Sequence, residues 1–154
     1  MRTNRPPPRA RPTAAGHAAD GGNGRGTAAQ GGGRVGRLEV ATCECINCKH
    51  TEPTGRSLYG STSRADLIML SVHSPETPYE HDRAHLLGSL TDQGIKWPVI
   101  VDNDFAVWNA FGVDAWPTQM IFDRHGVLQK TIVGEGSDAA LNAEVAKLIA
   151  QPAN

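Results

Sequence analysis

The stretch Val35–Cys48, VGRLEVATCECINC, places a predicted strand directly before two cysteines that are two residues apart. The apolar residues of 35–42 favour this strand, although a glycine and an arginine inside it weaken the pattern. A helix is predicted to begin at Cys45 and to continue through Tyr59, with a kink at Pro53. The stretch therefore predicts a cysteine pair at the junction between a strand and a helix.

This position suits thiol chemistry. The reactive form of cysteine is the thiolate, and the unpaired N–H groups and partial positive charge of a helix N-terminus favour it. Cys45 is therefore the expected attacking thiolate, and Cys48 lies one turn later on the same side of the helix. Together with Cys43, all three cysteines of the chain fall within six residues. Such crowding indicates chemistry at one place, because a structural disulfide framework would spread its cysteines along the chain.

The rest of the chain alternates apolar strands with amphipathic helices. Strands are predicted at 66–72, 97–101, 118–123 and 127–133, and helices at 79–93, 104–111 and 138–150. With the strand and helix around the cysteines, the order is β–α–β–α–β–α–β–β–α. This order predicts an α/β fold with a mixed central sheet and helices on both of its faces.

The first 34 residues differ from the remainder in composition. They contain eight Gly, six Arg and one Asp, and Met1 is their only large apolar residue. We therefore predict a disordered, low-complexity tail at 1–34 and one folded domain at 35–154. The predicted domain carries 9 basic and 15 acidic groups, which argues against a nucleic-acid-binding surface. No apolar run is long enough for a membrane span, and the N-terminus lacks the apolar region of a signal peptide, so the sequence leaves localisation open.

Four segments carry a resemblance to a known family: CINCKHTEP at 45–53, LIMLSVHSPE at 67–76, WPVIVDNDFAVWNAFGVDAWPTQMIFDRHG at 97–126, and GEG at 134–136. The chain resembles the redoxin branch of the thioredoxin superfamily over about residues 33–150, especially the thioredoxin-like domains of NHL-repeat proteins and of periplasmic or membrane-linked thiol carriers. The resemblance implies a three-layer thioredoxin-like fold. It also implies a thiol–disulfide oxidoreductase that acts on protein thiols and disulfides with a redox partner protein, and that needs no cofactor or metal.

The resemblance also implies roles for individual residues. Cys45 would be the nucleophile and Cys48 the resolving thiol. Pro117, after Trp116, would be a cis-proline that faces the cysteine pair. Glu39 lies six residues before Cys45, where thioredoxins keep a buried acid, and it could accept the proton of the resolving thiol. The alternative for Glu39 is a surface glutamate on an exposed strand face.

The predicted first strand departs from the family pattern. Arg37 stands where an apolar residue is expected, and an unpaired charge in the core would cost several kcal/mol. We therefore expect its long side chain to reach solvent at an edge of the sheet. Ala41 and Cys43 replace residues that are commonly Trp and Tyr in such proteins.

Two other functions remain open at this point. Cys43, Cys45, Cys48 and His50 form a C-x-C-x2-C-x-H pattern, whose thiolates and imidazole would suit zinc or copper. Four ligands within eight residues would, however, strain a tetrahedral site. A thioredoxin-like adaptor that binds peptides without turnover is the other alternative.

Overall fold

The computed structural model describes residues 33–153. The predicted tail at 1–34 therefore lies outside the described residues, except for its last two positions. Both of these contact the domain: the Gly33 carbonyl accepts a hydrogen bond from Arg124 at 2.5 Å, and Arg34 donates one to the Arg64 carbonyl at 3.3 Å.

Strands and helices alternate in the order that the sequence predicts. The strands are β1 (Val35–Ala41), β2 (Leu67–His73), β3 (Val99–Val101), β4 (Thr118–Phe122) and β5 (Leu128–Val133). The α-helices are α1 (Ile46–Ser61), α2 (Arg83–Asp92), α3 (Ala106–Phe111) and α4 (Asp138–Ile149). Within residues 33–153, no helix is both long enough and apolar enough to span a membrane.

The strand that precedes the cysteines lies at the centre of a five-stranded mixed sheet, in the order β3-β2-β1-β4-β5. β1 runs parallel to β2 and antiparallel to β4, with Val40 opposite Thr118. β2 is parallel to β3, and β4 is antiparallel to β5. The carboxyl end of β1 and the amino end of β4 therefore lie side by side at one end of the sheet. Both the loop that leads to Cys45 and the segment that contains Pro117 lie at this end.

Apolar side chains fill both faces of this sheet, because successive residues of a strand point to opposite sides. On one face Val35 packs in a core that α1 and α4 cover, and on the other Leu38 and Val40 pack in a core that α3 covers. The first core contains Leu67, Met69, Trp97, Ile121, Ile132, Leu141, Val145 and Leu148, and the second contains Val72, Val113 and Met120. The predicted mixed sheet with helices on both faces is confirmed.

The helix predicted at 79–93 is two separate elements. A short 3-10 helix covers Pro78–His81, and α2 follows it from Arg83. Asp82 separates them because it adopts an extended backbone, and its carboxylate accepts a hydrogen bond from the His85 N–H at 2.7 Å. This is an N-cap interaction, and Asp is among the residues that favour that position.

The expectation that Arg37 reaches solvent is wrong. Its side chain is only 1% exposed, on the α1 side of the central strand. Its guanidinium donates to the Gln119 side chain at 2.7 and 3.2 Å and lies 3.3 Å from the Glu39 carboxylate. A buried charge persists here because a neighbouring strand and its own strand both supply oxygen acceptors.

Candidate active site

The two cysteines of the CINC motif occupy different environments at the start of α1. Cys45 is the N-cap residue, with φ −67° and ψ 119°, and its sulfur accepts a hydrogen bond from the Cys48 N–H at 3.3 Å. Cys45 is half-buried, whereas Cys48 is 2% exposed. The outer sulfur is thus placed to meet another molecule, with the inner one directly behind it.

Burial raises the pKa values of the two buried thiols, Cys48 and Cys43. Removal from water raises the pKa of Cys48 far above its ordinary value, and its hydrogen bond with Cys45 raises it further. Burial also raises the pKa of Cys43 to about 11, and the nearby carboxylates of Glu80 and Glu44 add to this shift. Cys48 therefore needs a group that accepts its proton before it can act as a nucleophile.

Glu39 is buried, so the surface alternative for this residue does not hold. Its carboxylate accepts hydrogen bonds from the hydroxyls of Thr51 at 3.0 Å and Ser71 at 3.5 Å, in addition to the ion pair with Arg37. The Ser71 hydroxyl in turn accepts a hydrogen bond from the Trp97 ring N–H at 2.8 Å. The acid is therefore enclosed in a polar network beneath α1.

A second buried glutamate, which sequence reasoning missed, holds the loop before the cysteines. Glu80 accepts hydrogen bonds from the Thr42 hydroxyl and from the backbone N–H groups of Glu44 at 3.0 Å, Glu76 at 2.8 Å and Thr77 at 2.8 Å. Burial alone would raise the pKa of Glu80, but these donors outweigh it and hold the pKa below its ordinary value. The Thr-x-x-Glu pattern at 77–80, which is typical of a capping box, is the sequence signal for this glutamate.

The Trp116–Pro117 peptide bond, at the same end of the sheet, is cis. The Pro117 carbonyl accepts a hydrogen bond from the Gly134 N–H at 2.8 Å. The Trp116 ring N–H donates to the Ser74 carbonyl at 2.8 Å, and its ring lies 4.4 Å from that of Trp108. These contacts fix a half-buried indole beside the proline.

The loop after β5 also reaches α1. The Glu135 carboxylate forms a hydrogen bond with the exposed imidazole of His50, five residues after the N-cap cysteine. Because Gly134 bonds Pro117 and the next residue bonds α1, this loop links the proline to the helix that carries the cysteines. His50 is therefore on the rim of the site, with a carboxylate as its partner.

Behind Cys48 lies a recess of about 40 Å³. Its lining includes Glu39, Glu52, Cys43 and His73, together with the polar residues Thr42, Ser71 and Gln93. Burial raises the pKa of Glu52 to about 7, against the opposing effect of nearby Arg56. Sequence reasoning missed Glu52; its signal is the spacing of four residues from Cys48, which places both on one side of α1.

The structure brings together a different set of possible metal ligands from the C-x-C-x2-C-x-H alternative. In the described part of the chain, the converging donors are Cys43, Glu44 and His85, whose ligand atoms all lie within 4.8 Å of one another. The His85 Nε2 is 2.7 Å from the Glu44 carboxylate. The other members of the C-x-C-x2-C-x-H pattern, Cys45, Cys48 and His50, are not in this group. His50 contacts Glu135 instead.

Sequence comparisons find relatives that are mostly much longer than this chain. No protein-family model matches it. It is 32% identical over 105 residues to the NHL repeat-containing protein 2 of Bos taurus, which covers 68% of this chain and 14% of that protein. It is 27% identical over 104 residues to Protein DipZ of Mycobacterium tuberculosis, covering 68% of this chain and 15% of that protein. The chain thus spans about one seventh of these relatives.

A third match is closer in length: the thiol-disulfide oxidoreductase YkuV of Bacillus subtilis is 24% identical over 107 residues, covering 70% of this chain and 72% of that protein.

Solved structures agree with the topology. A thiol-disulfide isomerase from Corynebacterium glutamicum superposes with a TM-score of 0.70 at 20% identity, and the match covers 84% of this chain and 90% of that one. The central mixed sheet, the cysteine pair at the start of α1 and these similarities lead to one assignment. The chain has a thioredoxin-like fold.

Proposed function

We propose that this protein is a thiol–disulfide oxidoreductase that exchanges disulfides with protein substrates through Cys45 and Cys48. One observation carries the proposal: the half-buried Cys45 sulfur caps α1 and accepts the Cys48 N–H at 3.3 Å, while the Cys48 thiol lies buried behind it. A backbone N–H at a helix N-terminus stabilises a sulfur that bears negative charge. The similarity to a protein named as a thiol-disulfide oxidoreductase supports the same chemistry.

The exchange takes place in two displacements. The Cys45 thiolate attacks one sulfur of a substrate disulfide, so that a mixed disulfide forms and the second substrate sulfur leaves as a thiolate. Cys48 then loses its proton and attacks the Cys45 sulfur. A Cys45–Cys48 disulfide forms, the mixed disulfide breaks, and the substrate leaves with both of its sulfurs reduced. The same steps in reverse oxidise a dithiol, and a redox partner protein restores the starting state.

The substrate would bind over the segment that contains Trp116 and Pro117. This segment lies at the same end of the sheet as the loop before Cys45, since Thr118 pairs with Val40. An extended peptide beside such a segment gains main-chain hydrogen bonds, as in β-augmentation. The Ala115 carbonyl already accepts the Thr118 hydroxyl at 2.7 Å, which occupies one of its two lone pairs. We therefore place the main-chain contacts at Trp116 itself.

Cation binding is a second candidate function, and its site would be Cys43, Glu44 and His85. A thiolate, an imidazole and a carboxylate are a ligand set that suits zinc. Lys49 opposes a cation there, because its ammonium lies 3.5 Å from the other Glu44 oxygen. The two candidates are separable, since neither Cys45 nor Cys48 belongs to this trio.

Three matched cysteine variants of the full chain test the exchange proposal in an insulin-reduction assay with dithiothreitol. Cys45→Ser should abolish catalysis, Cys48→Ser should accumulate a mixed disulfide that intact-mass spectrometry detects, and Cys43→Ser should retain most of the activity. Zinc that binds the wild type and Cys45→Ser, but not Cys43→Ser, would favour the cation site. Catalysis by Cys45→Ser at the wild-type rate would refute the exchange proposal.

A further inference from the structure

The recess behind Cys48 holds two carboxyl groups, those of Glu39 and Glu52. Its volume of about 40 Å³ is sufficient for a water molecule. A buried resolving thiol must pass its proton to a base when it attacks, and either carboxylate could receive that proton directly or through a water. The contacts of the two groups distinguish them.

Glu39 already has partners for both oxygens. Arg37 and Thr51 engage Oε1, and Ser71 engages Oε2. Protonation of the Glu39 carboxylate would neutralise it and break the buried ion pair. The Arg37 guanidinium would then be left unpaired in the core, which is strongly unfavourable. The network therefore makes Glu39 a poor group to protonate and release in each cycle.

Glu52 has the opposite character. Its side chain is 13% exposed, and Arg56 is its one ion-pair partner in the described residues, at 3.5 Å. The same Arg56 nitrogen donates a shorter hydrogen bond, of 2.8 Å, to the Gln93 carbonyl. Burial brings the pKa of Glu52 to about 7, where a carboxyl can gain and lose a proton readily. It lies four residues after Cys48, one turn along the same side of α1.

The charged and titratable groups around the recess are consistent with a Glu52 pKa near 7. From β1, the Glu39 carboxylate raises the pKa of Glu52, while Lys49 and Arg56 on α1 lower it. From β2, His73 has a lowered pKa because it is buried, so it is neutral near pH 7. From the preceding loop, Cys43 is a protonated thiol near pH 7. Burial remains the largest influence on Glu52.

We propose that Glu52 is the base for the resolving step: it accepts the Cys48 thiol proton, through a water in the recess, as Cys48 attacks the mixed disulfide on Cys45. The Cys48–Cys45 bond forms, the bond to the substrate sulfur breaks, and the substrate leaves as a thiolate. Glu52 later returns its proton to solvent or to Cys48 when the disulfide is reduced. The proposal rests on the exchange function and adds a residue to it.

The aromatic disulfide 5,5′-dithiobis(2-nitrobenzoate) separates the two displacements. Attack by Cys45 releases one thionitrobenzoate, and attack by Cys48 on the resulting mixed disulfide releases a second. The experiment uses the full chain with Cys43→Ser, so that only the active pair reports. It compares Glu52→Gln, Glu52→Asp and the control Glu144→Gln, whose side chain is also 13% exposed and pairs with Lys147 on α4, away from the recess.

We expect Glu52→Gln to leave the first release unchanged and to slow the second by at least about tenfold at pH 7, since a positioned base contributes 10²–10⁴-fold. The pH profile of the second release should lose its inflection near 7, Glu52→Asp should recover part of the rate, and Glu144→Gln should match the parent. A second release in Glu52→Gln with the parent's rate and inflection would overturn the role of Glu52. The exchange function itself predicts that the parent releases a second equivalent of thionitrobenzoate and that Cys48→Ser abolishes this release. If the parent released no such second equivalent, the exchange function would be refuted instead.

Discussion

Arg37 and Glu39, two residues apart on the central strand, point to the same side of the sheet and form a buried ion pair, with the guanidinium 3.3 Å from the carboxylate. Their side chains are 1% and 6% exposed. The pair lies directly beneath α1, where Thr51 of the helix donates to the same carboxylate. A charged pair therefore supports the helix whose N-terminus carries Cys45.

Removal of one partner from this pair should destabilise the domain strongly. Arg37→Leu leaves the Glu39 carboxylate buried without its cation, and we expect a loss of about 3–5 kcal/mol in the free energy of unfolding. The double variant Arg37→Leu/Glu39→Gln removes both charges and should lose less than the single one. Urea unfolding followed by circular dichroism measures both. A double variant less stable than Arg37→Leu would contradict this account.

Much of the fold could be predicted because local patterns specify it. The apolar run in β2 and the stripe of Leu141, Val145 and Leu148 each indicate one element without reference to the rest of the chain. The burial of Arg37 could not be predicted, because its acceptor Gln119 is 82 residues away and meets it only when β4 pairs with β1. The proton chemistry of Glu52 likewise depends on a recess formed by three separate parts of the chain.

The loop before the cysteines should be sensitive to acid through Glu80. Its folded pKa is depressed, so its stabilising effect is present above its ordinary pKa of 4.5 and is lost as the pH falls through the lower, folded value. Glu80→Gln should cost about 2–3 kcal/mol at pH 7, since hydrogen bonds to a charged acceptor are the stronger kind. The difference from wild type should narrow as the pH drops below 4.5. Urea unfolding at pH 7 and pH 3.5 tests this, and a pH-independent difference would contradict it.

The three thiols should differ in their rates of alkylation. In the reduced protein at pH 7.5, iodoacetamide should modify Cys45 first, because Cys43 and Cys48 are 4% and 2% exposed and have raised pKa values. Peptide mapping by mass spectrometry after short exposures gives the order. In urea the three rates should converge. Early modification of Cys43 in the folded protein would show that its surroundings are more open than described.

Two helical glycines should respond differently to alanine. A Cβ at Gly88 of α2 would meet no atom within 4 Å, so Gly88→Ala should stabilise the protein by about 0.5–1 kcal/mol through helix propensity. A Cβ at Gly55 of α1 would lie 3.2 Å from the Trp97 ring, tighter than an ordinary contact. Gly55→Ala should therefore lose that gain or reverse it. Thermal unfolding of the two variants decides, and an equal gain at both positions would refute the close packing of α1 on Trp97.

Glu52 should change how the free energy of unfolding depends on pH, and this effect can be measured without an activity assay. Its folded pKa of about 7 lies above its ordinary 4.5, so the folded state holds this proton more tightly than the unfolded state. The contribution of Glu52 is therefore most favourable below pH 4.5 and declines as the pH rises through 7. Since one pKa unit corresponds to about 1.4 kcal/mol, Glu52→Gln should become more stable than wild type by up to about 3 kcal/mol at pH 8, and by much less at pH 5.

Urea unfolding of wild type, Glu52→Gln and the control Glu144→Gln at these two pH values gives the differences directly. Effects of other titrating groups cancel, because they are common to all three proteins. The control removes a carboxylate of equal exposure that lies outside the recess, so it reports the effect of the substitution itself. If the advantage of Glu52→Gln did not grow between pH 5 and pH 8, the Glu52 carboxyl would not be held near neutrality by burial. Its role as the base for Cys48 would then lose its physical foundation, whatever the exchange rates showed.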